Sequence, residues 1–409
     1  MVEADAVSEA RLSRRRFLSM TAGVGAAVLA PPTTLLDLFG RAQQSVRLPS
    51  PGRSGIDHVV VLTMENRSFD HLLGWLPGAE GRQAGLTYTD RAGNRHSTFA
   101  LAPDYRGCGY ADPDHSHAAG LTEWDNGACD GFLRAQSDLF AIGYYRRQDL
   151  PFLGRAAPLW TTCDRYFASV MGPTMPNRIA LSAGVADRLD SSSTPSSLPT
   201  IWDRLLEQKL SARYYTHSAA DNTPLAVWSQ KYDAIIRPFT AFFADAKAGK
   251  LPAVAYLDPE LGASSGPLQD DHPFADIRAG ESLMADVYNA IVTSPSWPRT
   301  LLVINFDEWG GFFDHVSPPA AADSRPDYAL RGFRVPAILI SPFARRGHVS
   351  HVLFDHASVL RTIEWRWALA PLSSRDAAAN NLAAALDFSR PNRRAPLIKA
   401  PKIVSSPSC

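Results

Sequence analysis

The chain has 409 residues, 45% of them hydrophobic, so it is long enough to bury one large core or two ordinary ones. Its 41 lysines and arginines balance its 41 aspartates and glutamates, and this neutral charge does not favour nucleic acid or an anionic membrane as the default partner. The hydrophobic content excludes a disordered chain, while 31 prolines and 27 glycines are typical of a loop-rich enzyme rather than a fibrous protein.

The first 42 residues have the features of a twin-arginine export signal. The sequence S-R-R-R-F-L at 13–18 precedes a short apolar run, rich in glycine and alanine, at 21–30. Pro31 and Pro32 end this run, which is too short to span a bilayer comfortably. We therefore predict export by the twin-arginine machinery to the periplasm, the cell surface or the medium. A linker at 43–55 follows.

The stretch 56–74 begins as a strand and ends in a polar cluster. Its apolar, β-branched run predicts a buried strand of a parallel sheet. One interpretation of the polar cluster is a capped helix start, and the other is a site at the carboxyl edge of the sheet, where ligands bind in such folds. The polar residues are Glu65, Asn66, Arg67, Ser68, Asp70 and His71.

A threonine between two prolines marks the next candidate. The sequence M-G-P-T-M-P-N-R-I-A at 171–180 places Thr174 just before a predicted helix at 177–181. Thr174 is either a partial helix cap in a rigid turn or an exposed hydroxyl near the positive end of the helix dipole, where a phosphate would bind.

A second acidic pair follows another predicted strand, at 300–306. Asp307 and Glu308 point to opposite faces unless the strand has already turned, and Gly310 and Gly311 permit such a turn. Together with Glu65 and Asn66 they offer three carboxylates and an amide oxygen. Such a set of hard oxygen ligands suits one divalent cation and is too charged to assemble without one.

The remaining pattern predicts the fold class. Apolar runs at 253–257 and 335–340 indicate further buried strands, and helical patterns occupy 282–292 and 356–367. Strands that alternate with helices predict an α/β fold with a mainly parallel central sheet covered by helices on both faces. We expect this domain to span 56–388 and the tail at 389–409 to be an exposed extension.

Cysteine usage adds little to this picture. Cys108 and Cys129 are close enough in sequence to pair after export, but we do not expect a disulfide there, because a chain of this length has enough core not to need one.

Three motifs in this order resemble a bacterial phosphoesterase family that contains the phosphocholine-type phospholipases C and a related acid phosphatase. They are M-E-N-R-S-F-D-H at 64–71, G-P-T-x-P-N-R at 172–178 and D-E-x-G-G-F-F-D-H-V at 307–316. The similarity extends over 56–386. It implies an alkaline-phosphatase-like three-layer sandwich built around one metal-centred site.

The resemblance also implies roles for individual residues. Glu65 and Asn66 match the first metal-binding pair of the family, Asp307 and Glu308 match the second pair, and Thr174 matches the nucleophile, whose hydroxyl would contact the metal. The family pattern implies one divalent ion. Its ligand chemistry leaves Ca²⁺, Mg²⁺, Mn²⁺, Fe or Zn²⁺ open.

Two histidines match those that line the family's pocket and act on the phosphoryl oxygens or the leaving group, namely His115 and His272. Asp314 and His315 are expected to support the metal ligands from behind. Many relatives carry His or Asn where this chain has Trp309, which suggests that an aromatic wall replaces a polar contact near the metal.

The expected function is a metal-dependent phosphoric ester hydrolase, similar to phospholipase C, that acts through a phosphothreonine intermediate. An acid phosphatase-like phosphomonoesterase is the alternative, and an exported, non-catalytic phosphate-ester-binding protein is a weaker one. The substrate would be a phosphate mono- or diester, including phospholipid. The accessory domains of the larger phospholipases are missing, which weakens the case for action on intact membranes but leaves transient contact with a membrane surface open.

Overall fold

A computed structural model describes residues 48–135, 138–217, 223–259, 261 and 268–400. The predicted export signal, the first part of the linker and the last nine residues of the predicted tail lie outside the described residues.

Strands and helices alternate along most of the described chain. The strands are β1 His58–Met64, β2 Thr87–Thr89, β3 Arg95–Ser97, β4 Phe99–Ala100, β5 Gly143–Tyr144, β6 Thr161–Cys163, β7 Tyr166–Phe167, β8 Ala212–Thr216, β9 Ile236–Pro238, β10 Val254–Asp258, β11 Thr300–Phe306, β12 Ala337–Ile340, β13 His348–Ser350 and β14 Phe354–Asp355. The α-helices are α1 Phe69–Leu73, α2 His117–Trp124, α3 Leu153–Ala156, α4 Thr174–Ala183, α5 Ile201–Glu207, α6 Phe239–Lys247, α7 Ile277–Thr293, α8 His356–Trp367 and α9 Ser374–Ala378.

The described strands include an eight-stranded central sheet in the order β13-β6-β12-β11-β1-β10-β8-β9. Strand β1 lies near its middle and pairs in parallel with β10 on one side and β11 on the other. Because neighbouring strands and helices cover it on every side, β1 is apolar along nearly its whole length, and Val59, Val60 and Val61 are at most 1% exposed.

The predicted strand at 335–340 exists as β12 but differs in direction from the central strands. It pairs antiparallel with β11 on one side and with β6 on the other. An antiparallel strand next to a parallel core gives the same apolar run in the sequence as a parallel one, so the pattern did not distinguish them.

Helices cover both faces of the sheet. Tyr256 on β10 donates its hydroxyl to Leu181 O of α4 at 3.1 Å. Tyr215 on β8 points to the opposite face and donates to Asp245 Oδ2 of α6 at 2.6 Å. Since α8 packs against α4 and α7 packs against α6, the molecule has three layers, as predicted.

The described part of the C-terminal tail runs along the body of the domain. Its side chains are mostly exposed, as expected, but its backbone is held in place. Tyr288 donates its hydroxyl to Pro396 O at 2.7 Å, and Asn289 Nδ2 donates to Ile398 O at 2.8 Å. Both donors lie on α7, so hydrogen bonds from this helix hold the backbone of the tail in place.

Two smaller findings concern the cysteines and the membrane. Cys129 is a buried free thiol and therefore does not pair with Cys108. Cys108 is disulfide-bonded, so the expectation that a chain of this length needs no such bond does not hold for this residue. Within the described residues, every helix is too short or too polar to cross a membrane.

Candidate active site

The register of the central strands brings the candidate residues to one edge of the sheet. Thr63 on β1 pairs with Asn305 on β11, and Asp258 ends β10 one position beyond the pair Leu62 and Leu257. Side chains alternate along each strand, so residues at the same level of neighbouring strands point to the same face of the sheet. Thr63, Asp258 and Asn305 are at the same level and therefore share a face. Glu65 and Asp307 follow the carboxyl ends of β1 and β11.

Backbone hydrogen bonds join the two loops that leave these strands. Asp307 N donates to Met64 O at 3.0 Å, and Arg67 N donates to Glu308 O at 3.1 Å. The Asp307 carboxylate continues this link, because its Oδ1 accepts from Asn66 N at 3.2 Å and from Glu308 N at 2.7 Å. The two predicted ligand pairs therefore lie side by side.

The predicted turn after Asp307 is present. Gly310 and Gly311 have φ of 64° and 70°, a left-handed conformation in which glycine avoids the strain of a side chain. A Cβ at Gly310 would lie 2.1 Å from Asn66 O, so this position also needs glycine for the close approach of the two loops. Because the chain turns here, Glu308 does not have to point to the face opposite Asp307, as it would in a continuing strand.

Thr174 is the first residue of α4, three positions before the predicted helix start. The residue at the N-cap is Pro173, and no side chain caps this end. The Thr174 hydroxyl instead donates to Glu65 Oε2 at 3.2 Å, so the interpretation of Thr174 as a partial cap is wrong. Its Oγ1 is half-buried and faces the first predicted metal ligand.

Asn177 holds the turn that presents Thr174. Its Nδ2 donates to Gly172 O at 2.8 Å and to Pro173 O at 3.1 Å, and its Oδ1 accepts from Val170 N at 3.0 Å. Asn177 is fully buried, so these bonds replace the contacts with water that the turn would otherwise need.

Arg178 lies at the centre of the site, although sequence reasoning assigned it no role. Its side chain is 1% exposed and forms ion pairs with Glu65, with Asp258 at 2.6 Å and with Asp307 at 3.2 Å. Asp258 was also missed. Asp258 directly follows the predicted strand at 253–257, just as Glu65 follows the first predicted strand. The rule that ligands bind at the carboxyl ends of parallel strands would therefore have identified it.

Burial and like charge shift the pKa values of these groups. Burial raises the pKa of the Glu65 carboxyl well above its usual range, and repulsion from Asp307 adds to this rise. The pKa of Glu308 rises for the same two reasons. Burial alone would lower the pKa of Arg178, but Asp258, Glu65 and Asp307 together raise it well above its usual value.

Two histidines lie beside the carboxylates. The rings of His115 and His272 are 6.0 Å apart, and 18% and 31% of their side chains are exposed. His115 Nδ1 donates to Pro113 O at 2.8 Å, so its Nε2 accepts from Asn66 Nδ2 at 3.3 Å. His272 Nδ1 donates to Pro273 O at 3.1 Å. Its Nε2 lies 4.0 Å from an Asp112 carboxylate oxygen.

The donor set fits a divalent cation. Asn66 Oδ1 and Glu308 Oε1 are buried and have no hydrogen-bond partner among the described residues. Because His115 occupies the Asn66 amide nitrogen, the unpartnered oxygen faces elsewhere. Buried oxygens normally have partners, and these two unpartnered atoms belong to two of the predicted ligands, which is the chemistry that a hard cation requires. The oxygens of Glu65, Asp307 and Glu308 do not all lie within 4.8 Å of one another, so the set is less compact than the group described next.

A second group with metal-ligand chemistry is already neutralised by the protein. Possible ligand atoms of Asp70, Asp314 and His315 lie within 4.8 Å of one another. Arg334 bonds to Asp70 Oδ1 at 3.1 Å and to Asp314 Oδ1 at 2.9 Å, and His315 Nδ1 donates to Asp70. These bonds connect α1 to the loop after β11, and support of the metal ligands by Asp314 and His315 stays a prediction.

Trp309 does not form the aromatic wall that its position suggested. It is fully buried and packs against Phe333, with ring centroids 5.5 Å apart. Its Nε1 donates to Glu123 Oε2 at 2.7 Å. Trp309 therefore anchors the loop after β11 to α2.

The chain is similar to known proteins over most of its length. The model of the phosphoesterase family matches residues 56–370. Phospholipase C A of Mycobacterium tuberculosis is 30% identical and aligns with 97% of this chain and 90% of its own length. Non-hemolytic phospholipase C of Pseudomonas aeruginosa is 30% identical over 93% of this chain and 64% of its own length. Non-specific phospholipase C6 of Arabidopsis thaliana is also 30% identical, over 80% of this chain and 71% of its own length.

The solved structures that are similar to this chain have a lower sequence identity to it. A protein of the alkaline phosphatase superfamily from Vibrio parahaemolyticus is 11% identical, with a TM-score of 0.40 over 81% of this chain and 71% of that one. The lipoteichoic acid synthase LtaP of Listeria monocytogenes is 8% identical, with a TM-score of 0.45 over 85% and 83%. On the match to the family model and the identity to its members, the chain belongs to the phosphoesterase family and is a hydrolase that acts on phosphoric ester bonds.

Proposed function

We propose that this protein is a metal-dependent phosphoric ester hydrolase of the phospholipase C type and that it acts through a phosphothreonine at Thr174. The observation that carries the proposal is the Thr174 hydroxyl, which stands at the start of α4 without a capping role and bonds to Glu65 at 3.2 Å. A threonine hydroxyl is a weak nucleophile unless a neighbouring group or a metal activates it, and this environment offers both.

Four residues would hold the ion, namely Glu65, Asn66, Asp307 and Glu308, with the Thr174 hydroxyl beside them. When bound, a divalent ion would favour the ionised form of the hydroxyl and draw charge from the phosphoryl oxygens. The four residues supply oxygen ligands, which suit Ca²⁺, Mg²⁺ or Mn²⁺, and the nearby histidines admit Fe or Zn²⁺.

The helix that starts with Thr174 would bind the phosphoryl group. Pro173 offers no side chain to the first amides of α4, so these N–H groups remain available to an anion. Asn177 fixes the turn before Thr174, so the hydroxyl is held in place before substrate arrives. This arrangement favours in-line attack on phosphorus from one side, with the leaving group on the other.

His272 is the better placed of the two histidines to protonate the leaving group. His115 Nε2 is engaged by Asn66, whereas His272 Nε2 faces the partly exposed Asp112 at 4.0 Å. The His272 side chain is also the more exposed of the two, at 31% against 18%, which leaves its ring accessible to the leaving group of a bound substrate. His115 would instead keep the Asn66 side chain in the orientation that leaves its oxygen free.

The names of the relatives support a phosphodiester substrate, including phospholipid, over a phosphomonoester. An acid phosphatase-like activity remains the alternative. The non-catalytic binding protein is less favoured, because the chain retains the predicted nucleophile together with all four predicted ligands.

Twin-arginine export would place the activity in the periplasm, at the cell surface or in the medium, and contact with a membrane surface would be transient.

One assay separates these functions. Purified protein is offered p-nitrophenyl phosphorylcholine and p-nitrophenyl phosphate, before and after removal of metal with a chelator. We expect the diester to be hydrolysed faster, chelation to abolish turnover, and readdition of a divalent ion to restore it.

The Thr174→Ala variant is the matching test of the mechanism. We expect it to lose turnover of both esters while its metal content and melting temperature stay close to those of the wild type. Thr174→Ser, which keeps a hydroxyl, should retain measurable activity. Near-normal turnover by Thr174→Ala would refute the phosphothreonine, and no hydrolysis of either ester by metal-loaded wild type would favour the binding protein.

A further inference from the structure

The buried guanidinium of Arg178 connects the two strands that carry the predicted metal ligands. Its Nε donates to Asp307 Oδ2 at 3.2 Å, and its Nη2 donates to Glu65 Oε1 and, at 3.3 Å, to Thr63 O. A guanidinium is planar and presents its donors in a fixed fork. The angle at which Arg178 is held therefore sets where the Glu65 and Asp307 carboxylates lie.

Asp258 differs from the other two carboxylates that contact Arg178. Its Oδ1 accepts from Arg178 Nη1 at 2.6 Å, and its Oδ2 accepts from the Tyr214 hydroxyl. Both oxygens are thus engaged by donors of the protein. The second oxygen of Glu65 accepts from the Thr174 hydroxyl, and the second oxygen of Asp307 accepts from Asn66 N and Glu308 N, so both of these carboxylates contact residues of the predicted site. Asp258 faces Arg178 and Tyr214 rather than the nucleophile.

The partners of Asp258 lie on a rigid part of the fold. Tyr214 pairs with Tyr256 and Thr216 pairs with Asp258 in the parallel ladder between β8 and β10. Side chains alternate along a strand, so this register puts Tyr214 and Asp258 on the same face. The contact therefore bridges two adjacent strands and does not depend on a loop.

We propose that Tyr214 and Asp258 are positioning residues that set the affinity of the site for its divalent ion. They would do so by fixing Arg178, which in turn orients Glu65 and Asp307. This inference rests on the proposed metal-dependent function. Without Asp258, the Nη1 donor of a buried Arg178 would lack its partner, and the guanidinium would shift toward the carboxylates that remain. Outer partners of metal ligands commonly change metal affinity by about 10- to 100-fold.

The sharpest test uses a substitution that changes no charge. Tyr214→Phe removes only the hydroxyl that holds Asp258. Tyr215→Phe is its matched control, because Tyr215 is the next residue of β8, points to the opposite face and donates to Asp245 Oδ2 at 2.6 Å. Full-length protein is stripped with a chelator and titrated calorimetrically with Mn²⁺ alone. We expect Tyr214→Phe to weaken Mn²⁺ binding by about 10-fold and Tyr215→Phe to leave it unchanged.

Asp258→Asn provides a second measurement, for which we expect a loss of up to about 100-fold. Circular dichroism melts confirm that each variant is folded. Wild-type Mn²⁺ affinity in folded Tyr214→Phe and Asp258→Asn would overturn the inference and leave the metal-dependent function intact. If wild-type protein binds none of Mn²⁺, Ca²⁺, Mg²⁺, Fe²⁺ and Zn²⁺, the proposed function fails, and this inference fails with it.

Discussion

At the scale of single residues, the two histidines of the site differ in what their ring nitrogens contact. His115 is engaged on both nitrogens, by Pro113 O and by Asn66. His272 has a backbone partner on Nδ1 only, and its Nε2 faces Asp112. The sequence placed both residues at the site but could not rank them, because a tautomer depends on neighbours that only the fold supplies.

We therefore predict that His272→Asn lowers turnover by about 10²- to 10⁴-fold, the usual contribution of a general acid. The loss should be larger for an alkyl phosphodiester than for a p-nitrophenyl ester, because p-nitrophenolate leaves without a proton. Steady-state kinetics with both substrates measure the difference. His96→Gln is a suitable control, since His96 contacts Asp90 in a part of the chain separate from the site. An equal loss with both leaving groups would contradict the assignment.

Residues at strand ends were predictable, and residues that depend on register were not. Glu65, Asn66, Asp307 and Glu308 follow apolar runs, so the rule for parallel sheets placed them at one edge of the sheet, and the resemblance to the family singled them out as predicted metal ligands. The role of Arg178 arises only because α4 lies over the face that carries Glu65 and Asp258. No spacing in the sequence encodes that placement.

At the scale of elements, the loop after β11 depends on Gly310. Its φ of 64° disfavours a side chain, and an added Cβ would lie 2.1 Å from Asn66 O, a backbone atom that cannot move freely. We predict that Gly310→Ala lowers the free energy of unfolding by about 2 kcal/mol or more and strongly reduces activity. Urea unfolding and the ester assay measure both effects.

Gly93→Ala is the matched control for this prediction. Gly93 has φ of 87°, but a Cβ there would meet nothing within 4 Å. We expect it to lose about 1 kcal/mol from backbone strain alone and to keep its activity. Equal losses of stability in the two variants would show that the contact with Asn66 adds nothing.

A buried carboxyl connects α7 to α3 and makes this contact sensitive to pH. Glu281 Oε2 accepts from Leu153 N at 2.9 Å and also from Phe152 N, and burial raises the pKa of Glu281 to about 8. Between its unfolded pKa and pH 8 the folded state binds more protons than the unfolded state. The contribution of Glu281 to stability is therefore present at low pH and lost as the pH rises through 8.

We predict that Glu281→Gln, which stays neutral, becomes more stable relative to the wild type as the pH rises from 5 to 8. The difference in unfolding free energy should grow by a few kcal/mol over this range. Urea titrations of both proteins at the two pH values, in the presence of chelator, provide the measurement. A difference that does not change with pH would mean that Glu281 ionises normally in the folded protein.

The elements themselves were largely predictable. Helix α8 and strand β11 have the predicted bounds. The helix shows an uninterrupted 3.6-residue pattern and the strand an uninterrupted apolar run, and each pattern is compatible with one type of element. Helix α4 starts three residues early because its first turn begins at Thr174, directly after the N-cap residue Pro173. The direction of β12 was not predictable, because it depends on the course of the connection rather than on the strand's own residues.

At the scale of the whole molecule, a bound ion should stabilise the fold. The predicted ligands come from loops after two central strands, so the proposed site would exist only in the folded state. Binding then raises the unfolding free energy, by about 2.7 kcal/mol at an ion concentration 100 times the dissociation constant. We predict that the melting temperature of chelator-treated protein rises with added Mn²⁺ until the site saturates. A melting temperature that is independent of Mn²⁺ would contradict a site formed by folding.

The link between Asn66 and Asp307 has a consequence for how the protein is made. These two residues are 241 positions apart in the chain, yet they are hydrogen-bonded across neighbouring parallel strands. A ribosome must therefore release β11 before the loops can meet, and contacts of such long range form slowly. The four predicted metal ligands therefore cannot come together until Glu308 has been synthesised, so an ion that binds them would be acquired late, by a domain that is already folding.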